Sequence, residues 1–315
     1  MALSFGIIGA GALGGYYGAR LHHAGFETHF VFHNDYAHVK NHGLRVDSIE
    51  GDFSIAAPHA WSHIENLPPC DVLCVCLKST ENHLLRDQIA HKVKPGGAVL
   101  VLQNGLGIEE ELAQWVHPIP VFGGLCFLCS NKVGPGHISH LDYGGMRLGS
   151  LESNPPHSLE LLSRIAEAFR LAGIDATITD NLAEARWQKL VWNIPFNGLC
   201  VILRCTTTQI MQHPAGLALA TALMNEVKQA SHACHTPVPA GFVEKMLADT
   251  LRMTPYLPSM RLDFDRGNPM EIDAIYSQPL ARAESFGFAM PLTRMLRDQL
   301  LVAQALHNHS KGHHL

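Results

Sequence analysis

Two groups of residues have types and spacings suited to chemistry. Gly9-Ala10-Gly11-Ala12-Leu13-Gly14 follows a short apolar run, Leu3 to Ile8, and precedes a helical stretch ending near Gly25. A G-x-G-x-x-G turn in that position can seat a dinucleotide pyrophosphate. Its first glycine permits the tight turn, the second lets the backbone approach the anion, and the third lets helix and strand pack closely. The helix N-terminus adds backbone N–H groups that have no intrahelical partner. A second strand over Thr28 to Phe32 closes a βαβ unit of about 30 residues, the context that makes the motif specific. The other group is Lys189, Asn193 and Asn197 in Arg186-Trp187-Gln188-Lys189-Leu190-Val191-Trp192-Asn193-Ile194-Pro195-Phe196-Asn197-Gly198-Leu199. At 3.6 residues per turn this spacing forms one stripe that drifts only about 40° per step. The rest of the segment is apolar, so the helix should be largely buried with a narrow polar line, and buried polar groups need partners. Those partners are either other protein groups or a polar ligand, and Pro195 should kink the helix there and leave a carbonyl open to another donor.

These groups need elements to position them. Further buried strands are expected at Asp71 to Leu77, Ala98 to Leu102 and Pro120 to Phe127, with helices over 82–92 and 108–115, then a helix near Ser158 to Leu171 and a strand at Asp175 to Ile178. Alternation of this kind predicts a doubly wound, Rossmann-like α/β domain with a parallel sheet. Ligands in such sheets lie beyond the carboxyl ends of the strands, which draws attention to Lys78-Ser79 and Gln103-Asn104-Gly105, although each also reads as an ordinary strand-to-helix turn. From Asn181 onward the pattern is helical, with breaks at 206–209, 236–239, 254–258 and 287–291. The expected organisation is therefore 1–179 as the dinucleotide-binding domain and 180–315 as an all-α substrate-binding and catalytic domain, with a cleft between them.

At the end of the second strand an acidic residue would bind a ribose 2'-hydroxyl and a basic one a 2'-phosphate. The residues there are His33-Asn34-Asp35. Asp35 favours NAD if the strand runs on to it, and His33 could face a phosphate. In the helical half, Ser259 reads first as a helix N-cap. Pro269 reads as a helix start, with Glu271 and Asp273 complementing the dipole.

Composition narrows the classes. With 47% hydrophobic and 16% charged residues the 315-residue chain is not a disordered one. A formal charge of -5 leaves no basic excess for nucleic acid or an anionic membrane, so an anionic ligand must be held locally. No apolar run approaches the roughly 20 residues of a membrane span. Met1 to Gly18 lacks the basic start of a signal peptide, so a cytoplasmic location with reduced cysteines is expected. The 21 histidines and eight cysteines invite a metal reading. Yet His232, Cys234 and His235 match no structural zinc spacing, Cys74, Cys76 and Cys126 read as small buried hydrophobes, and His307, His309, His313 and His314 fall in a polar tail expected to be mobile. No metal is expected.

Taken in order, Gly9 to Gly14, Leu77-Lys78-Ser79, Gln103-Asn104-Gly105, the Lys189/Asn193/Asn197 stripe, Pro258-Ser259-Met260 and Met270-Glu271-Ile272-Asp273 resemble the 2-dehydropantoate 2-reductase (ketopantoate reductase) family over nearly the whole chain. The resemblance implies NADPH-dependent reduction of 2-dehydropantoate to pantoate in pantothenate biosynthesis. It makes Lys189 the proton donor, and Asn193, Asn197 and Ser259 substrate contacts. Asn104 would lie where cofactor and substrate meet, with Lys78, Glu271 and, by alignment, Cys129 near the cofactor. His33 stands where many members carry an arginine, so NADH stays open. Thr207 stands nearest a third asparagine of some members, so a related 2-oxo acid stays open as substrate. A dinucleotide-sensing module without catalysis is the third reading, against which the lysine and asparagine stripe argues. A homodimer is also left open.

Overall fold

The structure is a computed structural model that describes residues 2–253, 255 and 257–312. It divides into two compact units, one of Met1–Gln103 with Ile108–Leu182 and one of Asn104–Gly107 with Ala183–Leu315.

The first unit is built on β1 (Phe5–Ile8), α1 (Ala12–His23), β2 (Thr28–Val31), α2 (Tyr36–His42), β3 (Leu44–Ser48), β4 (Phe53–Ile55), β5 (His59–Trp61), β6 (Cys70–Val75) and β7 (Val93–Val101). It continues with α3 (Ile108–Val116), β8 (Val121–Gly134), β9 (His137–Ser150), α4 (Ser158–Leu171) and β10 (Ala176–Thr179). The strand order runs β4-β3-β9-β8-β7-β6-β1-β2-β5, with β10 beside β9. From β5 to β8 every pairing is parallel, which is the Rossmann order read as 3-2-1-4-5-6. Its switch point lies between β1 and β6. Val72 to Val75 and Val99 to Val101 are fully buried, which is why these strands are continuous apolar runs rather than alternating ones.

The sheet is not parallel throughout. β8 and β9 form a long antiparallel pair, and β3 joins β9 while β4 pairs antiparallel with β3. Pattern reading stops β8 at Phe127 and finds none of β3, β4, β5 and β9. Beyond Phe127, β8 carries Ser130, Asn131 and Lys132, and β9 carries three glycines, residues of low strand propensity that form strands because the partner strand supplies the ladder. The helix expected over 82–92 is instead two 3₁₀ segments, Ser79–Leu85 and Ile89–Lys92. Only Leu85 and Ile89 bury apolar surface there, too little to hold an α-helical face.

The second unit is helical: α5 (Leu182–Ile202), α6 (Thr207–Gln212), α7 (Pro214–Ala233), α8 (Phe242–Arg252), α9 (Ser259–Arg266), a π-helical segment Asp273–Ser277, α10 (Gln278–Ser285) and α11 (Pro291–Gly312). Its core gathers Trp187, Val191 and Phe196 of α5 with Met224 and Val227 of α7 and Tyr276. Buried Glu226 accepts bonds from the backbone N–H groups of Leu292 (2.9 Å) and Thr293 (2.7 Å), meeting the open donors at the start of α11. A boundary at 179 would leave Asn104–Gly107 in the first domain. They belong with the second because the Leu106 N–H donates to the Ala274 carbonyl (3.0 Å) and the Leu106 side chain enters the helical core. Two further expectations change. Pro269 starts no helix, since helical backbone resumes only at Ile272. The C-terminal tail is helical to Gly312 and includes His307, whereas the side chain of His309 and residues His313 and His314 lie outside the described residues. Of the break at 254–258, Thr254 and Tyr256 also lie outside them. No helix is long and apolar enough to cross a membrane among the described residues.

Candidate functional site

In the first unit the turn from β1 to α1 stands at the switch point. Gly9 has φ +89°, and a Cβ there would collide with the backbone of Leu77, which follows β6. A Cβ on Gly14 would come within 2.7 Å of the Cys76 Cβ. The protein's own packing therefore demands both of these glycines. Gly11 is different: nothing lies within 4 Å of where its Cβ would be. A glycine that the fold does not require, at the helix N-terminus of a strand-turn-helix, keeps the backbone accessible to something outside the chain. Ala10, Ala12 and Leu13 complete the turn, and the Ser130 hydroxyl of β8 donates to the Ala12 carbonyl at 3.0 Å. Cys129, next to Ser130, is buried, which pushes its thiol up to about 11 and keeps it neutral near pH 7.

Beyond β6 and β7 a side-chain network holds two loops together. Gln103 Nε2 donates to the Leu77 carbonyl (2.8 Å) and to Asn82 Oδ1 (2.6 Å). Lys78 immediately precedes the 3₁₀ segment in this arrangement and is half-buried. Sequence reasoning flagged Gln103 but missed Asn82, which is buried although polar and gives no sign of this in its immediate neighbours.

Past β2 the chain corrects the acidic reading. The strand ends at Val31, His33 and Asn34 are exposed, and Asp35 is turned into the protein. Its two oxygens are taken by Lys132 Nζ (2.7 Å) and the Gly136 N–H (3.1 Å). Asp35 is thus not offered to a ribose hydroxyl, while His33 stands at the exposed turn.

In the second unit, Lys189, Asn193 and Asn197 lie along α5, which continues through Pro195 as one helix of 21 residues. Lys189 is half-buried; Asn193 and Asn197 are 6% and 3% exposed. Asn193 Nδ2 is buried and has no hydrogen-bond partner among the described residues. Asn197 Oδ1 accepts the backbone N–H of Met260 (3.3 Å), which fixes the first turn of α9 against α5. Pro258 occupies the N-cap position of α9, so Ser259 is its first helical residue and its hydroxyl makes no capping bond, against the N-cap reading. Arg261, two positions after Ser259, donates from Nη1 to the Cys200 carbonyl (2.9 Å) in the last turn of α5, where carbonyls lack intrahelical partners. Thr206 caps α6 in a capping box with Gln209, leaving Thr207 fully buried.

Glu271 is buried just ahead of the π-helical segment, a local widening of the kind frequent at functional sites. That segment is tied at two points. The half-buried Asn104 opens the loop that docks on Ala274, where Gly105 at φ +123° leaves no room for a side chain. Tyr276, whose hydroxyl full burial holds well above its ordinary pKa and so protonated, donates to the Ile194 carbonyl beside Pro195 (2.9 Å). This outside donor falls on the carbonyl preceding the proline and not on that of Val191, the one that the missing N–H of Pro195 leaves open. The structure thus ties α9, which carries Ser259, to α5 at Asn197, and ties the segment after Glu271 to α5 at Ile194 and to the Asn104 loop at Ala274. Among the described residues no group of three or more histidine, cysteine or acidic side chains is placed to hold a metal ion.

A Rossmann-ordered sheet with an open glycine turn, joined in one chain to a helical unit with a buried polar line, defines an oxidoreductase of the dinucleotide-dependent kind. The chain belongs to the ketopantoate reductase family. The family profile described as Ketopantoate reductase PanE/ApbA matches residues 5–153, and that of its C-terminal region matches residues 181–304. A 2-dehydropantoate 2-reductase of Nostoc sp. is 43% identical over 298 residues, spanning 94% of this chain and 93% of that one. The crystal structure of 2-dehydropantoate 2-reductase from Geobacter metallireducens superposes with a TM-score of 0.90 at 40% identity, covering 96% of this chain and all of that one (100%). A D-mandelate dehydrogenase solved with NADH and anilino(oxo)acetate has the same fold at a TM-score of 0.87 and 21% identity, covering 97% of this chain and 99% of that one.

Proposed function

We propose that this protein reduces 2-dehydropantoate to pantoate with NADPH, as a cytoplasmic enzyme of pantothenate biosynthesis. The observation that carries the reading is the buried Asn193 amide nitrogen, which has no hydrogen-bond partner among the described residues, one helical turn beyond Lys189 on α5. A buried donor left open in this way costs roughly 1–3 kcal/mol unless a ligand meets it. The 2-oxo acid supplies the acceptors such a line needs: two carboxylate oxygens, a ketone and a hydroxyl.

The residues present fit a dinucleotide, since Gly11 leaves the pyrophosphate position clear and the start of α1 offers N–H groups to it. Lys78, Asn104 and Glu271 belong to the loops assigned to the cofactor, and Cys129 on β8 is assigned to it through its place beside Ser130. When bound, the reduced nicotinamide supplies a hydride to C2 of the substrate. Negative charge then develops on the ketone oxygen, and the Lys189 ammonium stabilises it and passes a proton to it, giving the C2 alcohol. Asn193 donates to the substrate. Asn197 holds Ser259 through Met260, so that the serine hydroxyl, free of capping duty, contacts the substrate. Thr207, short and buried, bounds the same region less closely than an asparagine would. The eight free cysteines suit a reducing compartment.

The test is absorbance-followed oxidation of NADPH and, separately, of NADH with 2-dehydropantoate and a panel of related 2-oxo acids. Highest kcat/KM with NADPH and 2-dehydropantoate is expected. Turnover of another oxo acid tenfold faster would replace the substrate, and cofactor binding without oxidation by any of them would make the protein a sensor.

A further inference from the structure

The loop after β2, where a dinucleotide's adenosine ribose is read, contains an aspartate that the chain itself has neutralised. Rossmann domains that choose NAD use an acidic residue here, because a carboxylate accepts the 2'-hydroxyl and repels a 2'-phosphate. Asp35 is the acidic residue of His33-Asn34-Asp35, yet its side chain is only 7% exposed. Oδ1 meets Lys132 Nζ at 2.7 Å and Oδ2 accepts the Gly136 N–H at 3.1 Å. Both partners come from the far end of the β8–β9 pair, about a hundred residues along the chain, so the arrangement is not a local turn preference. The lysine is the more open partner, with its side chain 36% exposed. The turn therefore presents the exposed side chains of His33 and Asn34 and no free carboxylate of its own, with the partly exposed Lys132 side chain bonded to Asp35 beside it.

We propose that Lys132 is a specificity-determining residue for the cofactor: by pairing with Asp35 it withdraws the carboxylate that would select NAD and leaves the turn open to a 2'-phosphate. The proposal rests on the dinucleotide reading above and adds to it a residue outside the glycine turn. It also explains how the chain manages without an arginine at position 33. A neutral turn with a nearby ammonium tolerates the phosphate dianion where an unpaired aspartate would not. Replacing the lysine exposes the phosphate to that aspartate, while replacing the aspartate frees the ammonium to attract it.

The experiment measures kcat/KM and dissociation constants for NADPH and NADH in the wild type, Lys132→Gln, Asp35→Asn and the double variant. Lys132→Gln is expected to lower the NADPH-to-NADH ratio by about tenfold, the order produced by uncovering one charge near the phosphate. Asp35→Asn, which keeps an acceptor for the Gly136 N–H, is expected to raise the ratio several-fold, and the double variant to return it to within about twofold of wild type. Lys132→Gln leaves a buried carboxylate without its partner. If that variant does not fold, Asp35→Asn decides alone. Equal changes for the two cofactors, or an unchanged ratio in Asp35→Asn, would make the pair structural only and overturn the proposal. Wild-type protein that binds neither nucleotide would overturn the dinucleotide reading beneath it, an outcome distinct from a fixed ratio.

Discussion

The glycine turn of the first unit and the α5 line of the second are built from opposite materials. The turn is defined by lacking side chains: at Gly9 and Gly14 the protein's own atoms fill the space, and at Gly11 nothing does. The α5 line is made of side chains set among apolar neighbours, with one amide that no described residue satisfies. A backbone site should fail sharply when a methyl is added where the fold is tight, and fail for the ligand alone where it is open. A side-chain site should lose chemistry without losing the fold. Gly9→Ala is the harshest test, because the new Cβ meets the Leu77 backbone at a positive φ that alanine resists. A loss of about 3 kcal/mol or more, or insoluble protein, is expected and is read by thermal melting. An alanine variant melting within a few degrees of wild type would show the turn less constrained than its packing implies.

The second-largest effect falls on the other side of the comparison. Lys189→Ala should lower kcat at least a hundredfold, within the usual range for removing a proton donor, while the dissociation constant for NADPH stays within about threefold. Unchanged turnover would move the acid role elsewhere, with Lys78 the next residue to examine. Gly11→Ala sharpens the contrast within the turn itself. With nothing near its Cβ the protein should fold and melt as wild type does, yet bind NADPH at least tenfold more weakly, because the methyl enters the space assigned to the pyrophosphate. If Gly11→Ala is as unstable as Gly9→Ala, the openness at Gly11 belongs to the fold and not to a ligand. Asn193→Leu probes the equivalent opening on α5. Removing a buried donor with no partner should cost little stability, within about 1 kcal/mol, while raising KM for the oxo acid about tenfold. Stability loss much above that would mean that the amide is met by the protein after all.

The two regions also differed in how openly the sequence displayed them. Gly9 to Gly14 could be read because the fold and the ligand both require small residues there at fixed spacing, a local constraint with local signs. The Lys189, Asn193 and Asn197 stripe could be read from helical period and apolar surroundings. What those surroundings could not show was which amide is already used: Asn197 is committed to Met260 and Asn193 is not, a distinction set by α9 from sixty-odd residues away. The same long-range logic hid the role of Asp35, fixed by Lys132 and Gly136, and the coupling of Asn82 to Gln103. It hid β3 and β9 as well, whose strands depend on pairing rather than propensity, and it moved Asn104–Gly107 into the helical unit through Leu106. Period and punctuation report an element's own preference. Which polar atoms remain free is decided by contacts between elements, and that is where function was least visible.

The smallest expected effect tests whether positioning on α5 can be separated from chemistry. Arg261 links the first turn of α9 to the last turn of α5, donating to the Cys200 carbonyl while its Nε is held by both carboxylate oxygens of Asp265 at 2.8 and 2.9 Å. The guanidinium also places positive charge at a helix C-terminus, where the dipole favours it. Arg261→Met keeps most of the apolar stem but removes both bonds, so a loss of about 1 kcal/mol is expected. Two residues from Arg261, Ser259 would keep its place in sequence but lose one of the two ties that fix its turn, the other being Met260 to Asn197. KM for the 2-oxo acid should therefore rise about threefold while kcat with saturating substrate changes less than twofold, because Lys189 stands three turns away along α5 and keeps its own surroundings. Arg261→Lys should recover only part of the KM, since one ammonium cannot reproduce a planar group bonded on two sides. A fall in kcat equal to the rise in KM would show that the α9 turn takes part in the transition state, and that the line on α5 is divided between residues that react and residues that hold less cleanly than its hydrogen bonds suggest.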